Sequence, residues 1–390
     1  MTSTPVPNTF SSPQNLFTSA DYASEQVSAL DGGLGTFIDS HISPSVAKDL
    51  ITTAQALVGT TRGKGIYATD ESPEAMDALF KAAEEEQGKT YNDTERAERR
   101  KAWKKDAYEV LSNEHVSGVI LYPETLHDFN LGPILSNKNI VVGVRANGEL
   151  APLPTSPFEF IVQGLDDLLP RLQAARAAGA RFSKWRAPIA CTSPALGLPS
   201  STALDVQAET LAMFAAISQQ AGLVPIIEPD VEFSADADLS RSVEIHEKII
   251  GMIYARCREH GVLLEGSLIK PSFPQPGLKH PSRINTTAKD IALATATVIS
   301  RSVPSAVTGV FFLSGGLPTS VAISYLSAVN ALINTSSPAS PFSRLPPLTF
   351  SYGRAIQGEA IKHWVKGEKD LMKASLEQSC RGCWKAARGE

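Results

Sequence analysis

Short apolar runs alternate along this chain with segments that keep their apolar residues on one helical face. Eight runs are rich in β-branched and aromatic residues, and each is stopped by glycine, proline or charge: 65–69, 118–122, 140–144, 181–185, 224–228, 263–269, 309–313 and 348–352. Helical spacing appears between most of them, for example in Leu204, Ala208, Leu211, Ala215 and in Ile245, Ile249, Met252, Ile253. Repeated alternation predicts parallel strands, and eight repeats predict a closed (β/α)8 TIM barrel as a single α/β domain.

Polar residues collect at the carboxyl ends of these predicted strands, where barrels of this kind carry out their chemistry. They are Asp70, Arg145, Lys184, Arg186, Glu228, Asp230, Lys270, 314–316 and 351–354. Side chains two apart share one face of a strand, so Lys184 and Arg186 point the same way. Glu228 and Asp230 do so on the next strand, and we expect both pairs to face the barrel mouth. An ion-pair network that only stabilises the barrel is the alternative to a catalytic cluster.

Lys270 ends an apolar run and stands directly before Pro271, which stops that run. A buried amine in an apolar wall has a lowered pKa, which leaves its lone pair free to attack a carbonyl. Lys270 is therefore the candidate Schiff-base nucleophile. A solvated charge at a strand edge is the alternative interpretation.

The composition is that of an ordinary globular protein, since 43% of the 390 residues are hydrophobic and 20% are charged. The net charge of −5 gives no overall electrostatic reason to expect binding to nucleic acid or to a membrane surface. No apolar stretch is long enough to cross a membrane. The basic run 96–105 is interleaved with acidic residues and predicts a solvated helix face.

The first 43 residues are rich in serine, threonine, proline and asparagine and contain no lysine or arginine. They predict a flexible arm, and they fit neither a secretory signal nor an arginine-rich transit peptide. Four cysteines in a chain of this length do not suggest a secreted disulfide framework, so the cytoplasm is the expected compartment. Cys380 and Cys383 have redox-motif spacing, but no second pair accompanies them. The seven histidines are scattered and none ends a predicted strand, so we expect no catalytic metal.

Seven segments taken together go further than any one of them. They are GKGIYATDES (63–72), GVILYPETL (118–126), KWR (184–186), PIIEP (225–229), LEGSLIKP (264–271), FLSGG (312–316) and LTFSYGR (348–354). In this order they resemble the class I, Schiff-base fructose-bisphosphate aldolases, over about residues 44–366 and all eight strand ends. The resemblance implies a barrel that cleaves a ketose bisphosphate without a cofactor, and a homotetramer.

The types of residue at the strand ends are also those that this chemistry requires. Cleaving a carbon–carbon bond beside a ketone requires an electron sink, and an iminium formed by Lys270 is a better sink than a neutral carbonyl. The ammonium group of Lys184 is predicted to lower the pKa of Lys270 and to stabilise developing oxyanions. Glu228 is the candidate general acid and base, and Asp70 is expected to orient Lys184 and the substrate hydroxyls. Asp230 completes the predicted catalytic set.

A second set is predicted to bind the phosphate of dihydroxyacetone phosphate, after the last two strands where barrels commonly hold one. It supplies backbone amides, a hydroxyl and a guanidinium, and consists of Ser314, Gly315, Gly316, Gly353 and Arg354. A glycine pair alone is typical of a simple turn, and the arginine after the next strand favours the phosphate site. The other predicted substrate-binding residues are Ser72, Arg145, Arg186 and Ser351.

The chain also departs from the family pattern at the end that binds the aldehyde. The loop after Ser72 normally carries hydroxyl residues for the distal C6 phosphate, whereas this chain has Pro73 and Glu74, and an inward Glu74 is expected to repel that phosphate. Arg145 replaces a lysine, and Asp230 replaces a glutamate. The family's C-terminal tyrosine has no counterpart here.

The leading interpretation is a fructose-bisphosphate aldolase of glycolysis and gluconeogenesis, a carbon–carbon lyase (EC 4.1.2.13) acting on a sugar phosphate. A biosynthetic aldolase that joins dihydroxyacetone phosphate to a different aldehyde and a non-catalytic scaffold remain the alternatives. The expected organisation is an arm (1–43), the barrel (44–366) and a helical tail (367–390) without a tyrosine.

Overall fold

The computed structural model describes residues 42–59, 61–84, 90–154 and 156–390, and in this part the predicted barrel is confirmed. Its strands are β1 (Gly65–Thr69), β2 (Val116–Leu121), β3 (Val141–Arg145), β6 (Phe182–Ile189), β7 (Val224–Val231), β8 (Leu268–Ile269), β9 (Gly309–Phe312) and β10 (Leu348–Tyr352). All pair in parallel, and the ring runs β1-β10-β9-β8-β7-β6-β3-β2. An antiparallel hairpin, β4 (Leu150–Leu153) and β5 (Ser156–Val162), lies between β3 and β6 in the chain.

Helices surround the ring, and several of them begin after a residue whose side chain caps the first turn. They are α1 (Pro44–Val58), α2 (Pro73–Ala83), α3 (Asp93–Val110), α4 (Pro123–His127), α5 (Gly132–Ser136), α6 (Leu168–Ala177), α7 (Ser201–Gln220), α8 (Leu239–Glu259), α9 (Ala288–Ser302), α10 (Thr319–Thr335), α11 (Arg354–Val365) and α12 (Lys369–Ala386). Short 3-10 turns span Leu264–Gly266, Pro281–Asn285 and Pro341–Arg344. Ser200 and Asp238, for example, accept hydrogen bonds from the first turns of α7 and α8.

The apolar faces predicted for α7 and α8 are turned toward the barrel. Their buried members are Leu204, Ala208, Leu211, Ala215, Ile245, Ile249 and Ile253, while Met252 is half-buried. A stripe of this width anchors a helix through packing and not through its intrinsic propensity.

Side chains from alternate strand positions fill the barrel interior as a packed core. One buried cluster contains Ile66, Ala68, Ile120, Phe182, Val224, Ile226, Leu268 and Phe311. Phe182 pairs in register with Gly143, and a Cβ on Gly143 would lie 2.2 Å from the aromatic ring. The aromatic residue therefore needs glycine at the facing position, and the interior is a core and not a pore.

Helix α1 closes the amino end of the barrel. Its buried residues Leu50, Leu57 and Val58 belong to the same cluster as the barrel interior. A Cβ on Gly118 would meet Leu57 at 2.7 Å, and one on Gly309 would meet Val58 at 2.6 Å. Glycine in β2 and β9 thus lets the helix approach the strands closely. The carboxyl end of the barrel stays open.

The predicted strand at 263–269 is wrong for most of its length. Leu264–Gly266 forms a 3-10 turn, and only Leu268–Ile269 pairs as β8. Gln219 of α7 donates to the carbonyls of Leu263 and Gly266 at 2.7 and 3.1 Å. These carbonyls are satisfied by a side chain, so no strand neighbour is required.

The basic run 96–105 lies on α3 as expected, but it is not a uniformly solvated face. Arg100 and Lys104 are 8% and 2% exposed. Arg100 contacts Glu124 at 2.6 Å and Asp77 at 3.1 Å. The charge pattern of the run could not predict that these two positions are buried, because their partners come from other elements.

The C-terminal helix α12 packs against the rest of the domain through Met372, Leu376, Cys380 and Cys383. All four cysteines are free and buried, and burial raises the pKa of the Cys380 thiol to about 12. The flexible arm predicted for residues 1–43 lies outside the described residues up to position 41. Among the helices that the structure describes, none is both long enough and apolar enough to span a bilayer.

Candidate active site

A cavity of about 600 Å³ lies at the open, carboxyl end of the barrel. Nearly all of the predicted site residues line it: Asp70, Arg145, Lys184, Arg186, Glu228, Asp230, Lys270, Ser314, Gly315, Gly316, Ser351, Gly353 and Arg354. The volume is in the range of small-molecule sites. The strand ends therefore converge on one place, as parallel strands in a ring must.

Four charged side chains at the base of the cavity form one chain of ion pairs. Lys184 Nζ lies 2.6 Å from Asp70 Oδ2 and 3.2 Å from Glu228 Oε2. Lys270 Nζ donates to Glu228 Oε1 at 2.7 Å. The four charges sum to zero, and none of the side chains is more than 11% exposed.

The strands position these groups through their two-residue period. β6 and β7 stay paired as far as Ile189 and Val231, which is beyond their predicted ends. Lys184 and Glu228 therefore lie within paired strands and are held more rigidly than loop residues. Lys270 directly follows β8, and its backbone N–H donates to the carbonyl of Ile227 at 2.7 Å.

Burial lowers the pKa of Lys270 below that of an ordinary lysine, and the ammonium group of Lys184 lowers it further. The carboxylate of Glu228 opposes this shift without cancelling it. A lowered pKa increases the fraction of neutral amine at physiological pH, and the neutral amine is the nucleophilic form.

Lys184 has the opposite shift although it is equally buried. Burial alone would lower its pKa, but Asp70 and Glu228 on either side outweigh burial and raise it. The same contacts lower the pKa of Asp70 and of Glu228, since the two lysines outweigh the effect of burial on both. The site thus contains one lysine whose pKa is lowered and one whose pKa is raised.

Two buried oxygens face this region without an aligned hydrogen-bond donor among the described residues. One is Oε2 of Glu228, whose neighbour Lys184 Nζ lies at 3.2 Å but outside hydrogen-bond geometry. The other is the hydroxyl of Ser351 on β10. Buried polar atoms without partners are rare, and both line the cavity, where a bound hydroxyl can satisfy them.

The loops after β9 and β10 present an anion-binding surface. Gly315 and Gly316 adopt φ values of +56° and +86°, which only glycine adopts without strain. The guanidinium of Arg354 lies against Gly316, where a Cβ would approach Nη2 to 3.1 Å. Within the described part of the chain, Arg354 has no ion-pair or hydrogen-bond partner. An exposed free guanidinium beside backbone amides is suited to a phosphate.

Two further arginines lie on β3 and β6, and both are already paired. Arg186 Nε contacts Asp230 Oδ2 at 2.7 Å, and its Nη2 lies 3.6 Å from Glu232. Arg145 donates to the carbonyls of Asn147 and Gly148, each at 3.2 Å. Its Nη2 also lies 3.6 Å from Glu149.

Ser72 does not line the cavity, unlike the other predicted substrate-binding residues. Its hydroxyl caps α2 by accepting from the backbone N–H of Ala75 at 3.3 Å. Glu74 is exposed in the first turn of the same helix and is likewise absent from the cavity wall. The sequence argument that Glu74 faces the distal phosphate therefore gains no support from its position.

A buried hydrogen-bond network below Asp70 was not predicted. Lys104 of α3 donates to the carbonyl of Thr69 and lies 3.4 Å from Glu71 Oε2. Gln357 of α11 donates to Glu71 Oε1 and accepts from the hydroxyl of Tyr67 at 2.6 Å. Asp70 thus stands between two residues, 69 and 71, that are held from outside the barrel.

No cluster of histidine, cysteine, aspartate or glutamate within residues 42–59, 61–84, 90–154 and 156–390 is arranged to hold a metal ion. The buried His246 contacts the carbonyl of Ser242 and the hydroxyl of Ser272, at 2.7 and 3.0 Å. It is a structural link between α8 and the segment after Lys270.

Comparisons with known proteins agree on one family. The family described as "Fructose-bisphosphate aldolase class-I" matches residues 49–388. Fructose-bisphosphate aldolase B of Gallus gallus is 37% identical over 87% of this chain and 89% of the relative. A fructose-bisphosphate aldolase of Dictyostelium discoideum is 37% identical over 84% of this chain and 88% of its own. A solved structure of fructose-bisphosphate aldolase from Plasmodium falciparum, in complex with TRAP and a small-molecule inhibitor, matches with a TM-score of 0.80 and 32% identity. That match covers 90% of this chain and 97% of the other.

Proposed function

Since the chain belongs to the class-I fructose-bisphosphate aldolase family and is thus a carbon–carbon lyase, we propose that it cleaves its sugar substrate through a Schiff base on Lys270. The substrate of this reaction is fructose 1,6-bisphosphate, and the products are dihydroxyacetone phosphate and glyceraldehyde 3-phosphate. The reaction is reversible, so it serves glycolysis in one direction and gluconeogenesis in the other.

The observation that supports this proposal most strongly is the ion-pair chain Asp70–Lys184–Glu228–Lys270 at the base of the cavity. Buried ion pairs are costly to desolvate and often contribute little stability compared with apolar residues of similar size. An arrangement that lines an open cavity and lowers the pKa of one amine favours catalysis over a purely structural network.

Schiff-base formation begins when the neutral amine of Lys270 attacks C2 of the open-chain ketose. Glu228 lies 2.7 Å from this amine and takes up the proton that the ammonium form of Lys270 releases. It then gives that proton to the carbinolamine hydroxyl, the C2–O bond breaks, water leaves, and Glu228 is again a carboxylate. The product is an iminium that withdraws electrons from C3. Lys184 remains charged because Asp70 and Glu228 raise its pKa, so it stabilises oxygen atoms that gain negative charge.

Bond cleavage requires removal of the proton from the C4 hydroxyl. The free Oε2 of Glu228 is the candidate base. The C4 oxygen then forms a carbonyl, the C3–C4 bond breaks, and its electron pair moves through C3 into the iminium to give an enamine. Protonation of C3 and hydrolysis of the iminium release dihydroxyacetone phosphate and restore Lys270.

The C1 phosphate is assigned to the loops after β9 and β10. Arg354 supplies the positive charge, and Ser314 with the two following glycines supplies a hydroxyl and backbone amides. Lys270 directly follows β8, the neighbour of β9 in the ring. A phosphate at this position therefore brings C2 toward the amine.

A trapping experiment tests the covalent step directly. The protein is incubated with dihydroxyacetone phosphate, reduced with borohydride and digested, and the modified peptide is identified by mass spectrometry. We expect one modification, at Lys270, and none in Lys270→Ala. The same variant should lose at least about 10³-fold in kcat/KM for fructose 1,6-bisphosphate cleavage.

The matched control is Lys105→Ala, which removes an exposed lysine of α3 that lies 3.9 Å from Glu109. It should leave both trapping and cleavage unchanged. Trapping at another lysine, or none at all in active protein, would contradict the assignment of Lys270.

We infer a cytoplasmic homotetramer from the family resemblance. Size-exclusion chromatography with light scattering tests the assembly, and a particle of a different mass would contradict it. Imaging of a tagged chain tests the location.

A further inference from the structure

The cavity has different charges on its two sides, and the strand order defines these sides. In the ring, β9 and β10 stand directly across from β6 and β3. Lys270 after β8 and Glu228 on β7 lie between the two sides. If the C1 phosphate binds after β9 and β10, the remaining carbons of the ketose must extend toward β6 and β3. This subsection rests on the function proposed above.

On the side of β9 and β10 the positive charge is available. Arg354 has no carboxylate partner among the described residues. The nearby Glu71 is already engaged, because Gln357 donates to one of its oxygens and Lys104 lies 3.4 Å from the other. A phosphate binding here meets a guanidinium that gives up no ion pair.

On the side of β6 and β3 the situation is reversed. Arg186 and Arg145 line the cavity, but three carboxylates lie against them: Asp230, Glu232 and Glu149. Two positive charges thus face three negative ones. The Nε of Arg145 is also bound to the carbonyl of Asn147, which leaves fewer of its N–H groups for a ligand.

The two outer carboxylates are the ones that an incoming group meets first. Glu149 is 75% exposed and Glu232 is 40% exposed, and both line the cavity. Burial raises the pKa of Glu232, and the neighbouring negative charge of Asp230 raises it further.

A phosphate monoester carries between one and two negative charges at neutral pH. On this side it would have to break the existing arginine pairs and approach an excess of carboxylate, and like charges at contact near a protein surface repel by a few kcal/mol. A hydroxyl avoids both penalties, since it donates to a carboxylate without displacing the arginine.

We propose that Glu149 and Glu232 determine the specificity of the aldehyde half of the site, so that this half is suited to an uncharged hydroxyaldehyde. Fructose 1-phosphate, which lacks the distal phosphate, is then at least as good a substrate as fructose 1,6-bisphosphate. In the synthetic direction the site joins dihydroxyacetone phosphate to unphosphorylated hydroxyaldehydes.

The test compares kcat/KM for the two sugars in the wild type and in the double variant Glu149→Gln/Glu232→Gln. Glutamine keeps the size of each side chain and removes its charge. In the wild type we expect the bisphosphate to be no better than fructose 1-phosphate. In the double variant we expect the ratio of kcat/KM for the bisphosphate to kcat/KM for fructose 1-phosphate to rise about tenfold.

Salt gives a second readout that needs no variant. Because salt screens exposed charges, the ratio of bisphosphate to monophosphate cleavage should rise with ionic strength in the wild type. The double variant should lose most of this dependence. The control Glu109→Gln/Glu259→Gln removes two exposed helix carboxylates away from the cavity and should leave the ratio at its wild-type value.

Two results would overturn the inference while leaving the proposed function intact. One is a wild-type preference of about tenfold or more for the bisphosphate, and the other is an unchanged ratio in the double variant. Failure of the wild type to cleave either sugar, together with no borohydride trapping at Lys270, would instead overturn the proposed function and this inference with it.

Discussion

The pKa values of Lys184 and Lys270 are shifted in opposite directions, and single residues around them produce that difference. Lys184 has carboxylates on both sides, at 2.6 and 3.2 Å, whereas Lys270 has one, at 2.7 Å. Burial acts on both amines in the same direction. The number of carboxylate partners therefore decides which lysine has the raised pKa and which has the lowered one.

Lys104 is a buried lysine whose contacts predict a contribution to stability. Its amine is buried, donates to the carbonyl of Thr69 and lies 3.4 Å from Glu71. Lys104→Met removes this donor and leaves the carbonyl and the carboxylate without it. We expect the free energy of unfolding to fall by about 2–4 kcal/mol, measured by urea denaturation.

The neighbouring Lys105 provides the control, since its side chain is 58% exposed on the same helix. Lys105→Met should change the free energy of unfolding by less than about 0.5 kcal/mol. Equal effects of the two substitutions would mean that the network below Asp70 contributes nothing particular to stability.

The elements differ in how much the sequence could predict of them. The strands β1, β9 and β10 were predicted to within one residue, because apolar runs end abruptly there at Asp70, Ser314 and Gly353. The 3-10 turn at Leu264–Gly266 could not be predicted, since it depends on Gln219 of a distant helix. Hairpin β4–β5 was missed because proline stands in both strands, at 152 and 157, and proline argues against a strand when the sequence is viewed alone.

Helix α8 is tied to the segment after Lys270 by the buried His246, which should make stability depend on pH. The carbonyl of Ser242 can only accept, so Nδ1 carries a proton. Nε2 lies 3.0 Å from the hydroxyl of Ser272, which also donates to the carbonyl of Val231 at 2.9 Å. Burial lowers the pKa of His246 to about 4, below the unfolded value of about 6.5. The unfolded chain therefore binds the proton first as pH falls.

The stabilising contribution of this histidine is complete above about pH 6.5 and is lost as the pH falls toward 4. Between pH 7 and pH 5 the loss is about 2 kcal/mol. Between pH 7 and pH 5 we expect the free energy of unfolding to fall further in the wild type than in His246→Gln, and the difference between the two falls should be that amount. Glutamine gains no charge over this range. Parallel pH profiles for the two proteins would contradict this account.

For the whole molecule, stability and chemistry are assigned to opposite ends of the barrel. Helix α1 fills the amino end, and the charged groups collect at the carboxyl end. Most of the site was predictable from sequence because strand ends in a closed ring must converge, so that Asp70, Lys184, Glu228 and Lys270 met as expected. The positions of Ser72, Glu149 and Glu232 depend on how loops fold over the mouth, and strand periodicity carries no information about that.

The electron sink in the proposed reaction is a protein amine, so no metal ion is needed at any step. We expect millimolar EDTA to leave the rate of fructose 1,6-bisphosphate cleavage unchanged, as measured in a coupled assay with metal-free buffers. Loss of activity that returns on addition of a divalent cation would contradict the Schiff-base route.

The hairpin between β3 and β6 has a meaning for how this enzyme can change over evolutionary time. The hairpin begins at Leu150, next to Glu149. Phe158 and Phe160 on its second strand are exposed. Under the proposed role of Glu149, substitutions, insertions or deletions in this hairpin would alter which aldehyde is accepted without disturbing Lys184 and Lys270. Substrate preference could then change in a lineage while the bond-breaking chemistry stays the same.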